Sequence, residues 1–60
     1  MTLSDLMSEV TSELHAQQTR VKAGLQHGDT VEVLSASAQV VAYANMKCLV
    51  ALALVEFPKE

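Results

Sequence analysis

The chain has 60 residues and a mass of 6.5 kDa, enough for one small domain. Four Lys and Arg stand against seven Asp and Glu, a formal net charge of -3 at pH 7, so the basic footprint of a nucleic-acid binder is missing. Half of the residues are apolar but only 3% are aromatic, and two Gly with one Pro are too few for the turns of an all-β domain or for a flexible tail, which leaves helices packed through Leu, Val, Ala and Met.

A chain of this size buries only about 60% of its unfolded surface, and such domains lean on disulfides, a metal or a partner. The single Cys48 cannot close a disulfide within the chain, and Cys48 with His15 and His27 matches no zinc spacing. Neither metal nor cofactor is expected. Association with another protein chain is the remaining route to stability.

The first predicted helix covers about residues 3–26. Leu3, Met7, Val10, Leu14, Gln17, Val21 and Gly24 recur at alternating steps of four and three, a stripe on one helix face that Leu6 and Leu25 widen. Glu9, Thr11, Ser12, Glu13, Gln18, Thr19 and Lys22 fall mainly outside it. Thr2 and Asp5 have capping-box spacing, with Ser4 as an alternative cap. Residues 27–29 form the predicted turn: Gly28 suits the left-handed conformation that closes a helix, and Asp29 or Thr30 can cap the next one, with Glu32 three residues after Asp29 completing a second capping box. A connection this short makes the two helices antiparallel.

The second helix is predicted over about residues 30–57, with Pro58 as its stop. Folding about the turn places residues whose numbers add to about 57 opposite each other, so Ala36, Tyr43, Met46, Val50, Leu54 and Phe57 are expected to cover the first helix. A second stripe, Leu34, Ala38, Val41, Asn45, Cys48, Leu52 and Val55, has no partner inside a hairpin. The expected fold is therefore all-α: a two-helix antiparallel hairpin that dimerises through this stripe into a four-helix bundle. Small residues between Ser35 and Ala44 suit close backbone approach, and Asn45 is placed to fix register near a dimer axis.

No catalytic constellation emerges, because a two-helix rod offers no concave pocket for a Ser, His and Asp arrangement. Cys48 lies in an apolar run and reads as a buried, inert thiol, with a disulfide to its symmetry mate as the alternative. His15 reads as solvated, and His27 as an aid to helix termination. Asp5, Glu9 and Glu13 form an acidic column that the helix N-terminus favours. Tyr43, Phe57 and Arg20 are the candidate partner-binding residues, the two aromatics because rigid rings serve as interface anchors.

With the capped first helix, the Gly28-Asp29 turn and the long second helix in place, the layout resembles small phage-encoded helical-hairpin dimers that inhibit host regulators, including anti-activators of quorum sensing. It is also similar to the hairpin co-chaperones of type III secretion and to a plasmid-copy-control hairpin dimer that binds RNA loops, from which its acidity departs. These resemblances imply a non-enzymatic interaction module that binds itself and a cellular protein such as a transcriptional regulator; a secretion adaptor and a weak RNA- or DNA-binding dimer are the alternatives. Asp5 and Glu9 stand where a secretory leader is basic, and the unbroken apolar run from Cys48 to Val55 is eight residues, against roughly 18 to 20 for a bilayer span. A cytoplasmic location without a membrane partner is expected.

Overall fold

The computed structural model describes residues 1–58. Two helices, α1 (Leu3–His27) and α2 (Thr30–Glu56), pack against each other as an antiparallel hairpin. The all-α expectation holds, with boundaries within a residue of those read from the sequence.

Each helix starts where its cap dictates. Thr2 Oγ1 accepts the Asp5 N–H at 3.1 Å while the Asp5 carboxylate accepts the Thr2 N–H at 3.1 Å, so Thr2 rather than Ser4 caps α1 and two otherwise orphaned donors are satisfied reciprocally. At the turn, Gly28 sits at φ 68°, ψ 24°, and the Gly24 carbonyl accepts the N–H groups of Gly28 and Asp29, a left-handed closure that suits a residue without Cβ. Asp29 then caps α2 by accepting the Glu32 N–H at 3.1 Å.

The second capping box does not form in full. The Asp29 N–H is already donated to Gly24 at 2.9 Å, so it needs nothing from Glu32. The Glu32 carboxylate turns instead to Arg20 on α1, whose Nε donates to it at 2.6 Å.

The seven residues of the α1 stripe are all at least half-buried, with Val10 and Gly24 the most enclosed. On α2, Ala36 and Val50 are buried and Tyr43 and Leu54 half-buried against α1, as the antiparallel register requires. Gly24 meets Val33 so closely that a Cβ there would lie 2.8 Å from Val33 Cγ2. Three expectations fail. Leu25 is 65% exposed and lies at the turn rim, Met46 is 42% exposed at the edge of the seam, and Phe57 is 62% exposed because α2 ends at Glu56 and Phe57 leaves the helical path at φ -125°, ψ 65°.

Candidate functional site

The hairpin is a rod of 46 × 14 × 13 Å with a radius of gyration of 13.9 Å, against about 10 Å for a compact chain of this length. A rod one helix thick can cover only one face of each helix. α1 turns its polar face outward, which costs nothing. The outward face of α2 is apolar, since that helix carries Leu, Val and Ala nearly all round.

Every residue of the predicted second stripe is exposed in the single chain: Leu34, Ala38, Val41, Asn45, Cys48, Leu52 and Val55. Leu34, Val41, Leu52 and Val55 each keep at least 60% of their surface open, and so does Leu49 between them. Cys48 is consequently an exposed thiol in this chain and not the buried one expected. Leu49 and Val31, the latter 75% exposed, belong to the same face and lie outside the predicted stripe, Val31 because it stands one regular step of three before Leu34 where the stripe begins, Leu49 because alternating four and three steps slip gradually off the true face of a straight helix.

Open grooves flank the seam, among them one of about 420 Å³ between His15, Gln18, Val21 and Lys22 of α1 and Val40 of α2. Near the turn, an open apolar groove of about 360 Å³ runs between Leu25, Val33 and Leu34, with Gly24 and Gly28 at its base. Midway along the rod, Leu6, Glu9, Val10 and Glu13 of α1 and Tyr43 and Met46 of α2 line a shallower groove of about 290 Å³. Glu9 and Glu13 of the acidic column thus share a groove with the tyrosine ring, a pairing that sequence order alone conceals.

The three candidate partner-binding residues are not brought together. Tyr43 is half-buried in the middle groove and Phe57 stands at the far end of α2. Arg20 is held within the hairpin, donating to Glu32 and, through Nη1, to Gln17 Oε1. Its hydrogen bond to Glu32 raises the guanidinium pKa above its ordinary value, with desolvation opposing and the charge of Glu32 adding to the rise. A partner acid would have to displace Glu32, so Arg20 is the weakest of the three for binding.

Among the described residues, no three His, Cys, Asp or Glu side chains come together to hold a metal ion. α2 is also long and apolar enough to cross a membrane by length and composition: its most apolar 18-residue window has a mean hydropathy of 1.6, with 6% of it buried in the hairpin. Counting only the unbroken run from Cys48 to Val55 understates this helix, because Ser35, Ser37, Gln39 and Asn45 break the apolar sequence upstream without adding charge, and Lys47 is the single charged residue between Leu34 and Val55. No protein-family model matches the chain, and no match is found among curated proteins or solved structures.

Proposed function

We propose that the chain is a non-enzymatic interaction module, a homodimeric helical hairpin that binds another cellular protein and modulates it, as an inhibitor or adaptor in the cytoplasm. The observation that carries this reading is the continuous apolar outer face of α2 from Val31 to Val55, exposed in the single chain. Soluble proteins rarely leave a contiguous patch of this kind open, and where they do it marks an interaction surface. Pairing two α2 faces leaves the α1 helices and the middle grooves outside, where Tyr43 and the acidic residues Glu9 and Glu13 offer a rigid ring beside negative charge to a partner bearing basic side chains.

Sedimentation of the wild-type chain without detergent tests the dimer, and Val41→Asp or Leu52→Asp should shift it to monomer or unfold it. A wild-type monomer that stays folded and soluble removes the dimeric reading. For the partner, capture on immobilised wild type and on Tyr43→Ala, with the dimer verified in both, should retain a polypeptide that the variant loses. Recovery of the chain alone across several salt concentrations counts against a second protein.

A second reading is supported by the hydropathy of α2, in which the helix inserts in a bilayer. At about 1.5 Å per residue its 27 residues span about 40 Å, more than the roughly 30 Å of hydrocarbon. Lys47 argues against it: near the helix middle, a lysine costs about 2.5–3.5 kcal/mol on insertion scales, and Lys47 here packs half-buried on the α1 side. Flotation with phosphatidylcholine vesicles separates the two readings, with the chain remaining in the soluble fraction if the dimer is right.

A further inference from the structure

The outer face of α2 has an internal symmetry. Counting from Asn45, exposed residues recur at equal steps in both directions: Val41 and Leu49 four positions away, Ala38 and Leu52 seven, Leu34 and Glu56 eleven. Steps of four, seven and eleven stay on one helix face. A face arranged this way matches a copy of itself running in the opposite direction. Antiparallel pairing about Asn45 sets Ala38 level with Leu52 of the second copy and Val41 level with Leu49 of the second copy, so these two central layers each join a smaller side chain to a larger one, while the outermost sets Leu34 beside the aliphatic stem of Glu56 at the rim. Parallel pairing instead stacks Ala38 on Ala38 and Leu52 on Leu52, leaving a gap at one level and a bulge at another, which close packing penalises.

The ends of the rod repeat the message independently. The turn carries the apolar groove between Leu25, Val33 and Leu34, and the other end of α2 carries Val55 and Phe57, 79% and 62% exposed. Val33 and Phe57 lie twelve positions on either side of Asn45, so each is about 18 Å along the helix from it. An axis at Asn45 sets the C-terminal end of one copy level with the turn groove of the other, and does so twice. Asn45 itself meets its own copy there, and two carboxamides, each with a donor and an acceptor, can bond reciprocally across a twofold. The area is of the right size: the chain exposes 4406 Å², about 600 Å² above the roughly 3,800 Å² of a compact monomer of this mass, where a standard interface takes about 800 Å² from each partner.

Resting on the dimeric reading above, we infer that two hairpins pair antiparallel through α2 with the twofold axis at Asn45, the Val55–Phe57 end of each copy seated in the apolar turn groove of the other. Cys48 then lies three positions from the axis and about 9 Å along the helix from Cys48 of the second copy, outside the Cα separation of about 4.4–6.8 Å that a disulfide needs. This arrangement does not support the intermolecular disulfide that a parallel pairing invites.

A nitroxide on Gln26→Cys in a Cys48→Ser background decides the orientation, since Gln26 is exposed beside the turn and away from the proposed interface. Antiparallel pairing separates the two labels by about 42 Å along the rod. Parallel pairing brings them within about 28 Å, twice the 14 Å width of one hairpin. A distance above about 40 Å is expected; a dimer with the short distance overturns the arrangement while leaving the dimeric reading intact, and a monomer with no intermolecular distance overturns both. The seating of the chain end is read separately: Phe57→Ala should raise the dimer dissociation constant about tenfold, and an unchanged constant overturns that contact. Mild oxidation of the wild type should leave Cys48 unlinked, and rapid covalent dimer formation counts against the antiparallel axis.

Discussion

Gly24 and Gly28 close the hairpin for different reasons. Gly28 holds a positive φ of 68°, where a Cβ costs about 1–2 kcal/mol, so Gly28→Ala should lower stability by that amount in a denaturant melt although nothing lies near its side-chain position. Gly24 has ordinary helical geometry, and alanine there should gain about 1 kcal/mol of helix propensity. The new Cβ would stand 2.8 Å from Val33 Cγ2, and Val33 is β-branched and stiff. Overpacking costs about 1–3 kcal/mol, so Gly24→Ala should be neutral to destabilising despite the propensity. Adding Val33→Ala should make the alanine at 24 favourable, a coupling visible in a double-mutant cycle; strictly additive losses would contradict the contact. Gly28 was legible from the sequence because its neighbours form a turn signature. The role of Gly24 was not, since a close approach belongs to a pair of residues on different helices.

At the scale of the helix, α2 carries two faces whose separation was largely readable. Ala36, Tyr43, Val50 and Leu54 face α1 and the stripe from Leu34 to Val55 faces out, as apolar spacing implies. The error was one of drift. Alternating four and three steps average 3.5 residues per turn, and a straight helix departs from that by about 20° per heptad, so two heptads beyond Leu34 the outer face has shifted by about 40° from Cys48 toward Leu49. Leu49→Asp should therefore weaken self-association at least as strongly as Val41→Asp, and more than Cys48→Asp, in sedimentation equilibrium. The reverse order would restore the original stripe. Phe57 escaped prediction for another reason: Pro58 stops the helix just before it, and the ring leaves the seam that spacing alone assigned it. On the inner face, Ala36 has no exposed surface, and Ala36→Leu should cost about 1–3 kcal/mol through overpacking, measured as a lower unfolding midpoint with helix content retained below it.

For the molecule as a whole, the core that one hairpin makes is small: Val10, Ala36 and Val50 are the buried apolar side chains among the described residues. The fold class was legible because composition, caps and a single turn leave no other arrangement. The interaction surface was legible as an excess, an apolar face without a partner, whereas the grooves at the turn and beside Tyr43 required the register between helices. If self-association supplies the missing burial, the thermal midpoint should rise with protein concentration, and raising salt from low to moderate strength should weaken it little, because the stabilising face is apolar and the Arg20–Glu32 pair lies near the surface. A midpoint independent of concentration would place the stability within the single hairpin. Where self-association does supply that burial, so slight a core would tie survival in the cell to abundance: a few scattered copies would spend enough time open to be cleared by proteases, while a burst of synthesis would shelter itself, giving a response with a threshold and a natural decay without any dedicated regulator.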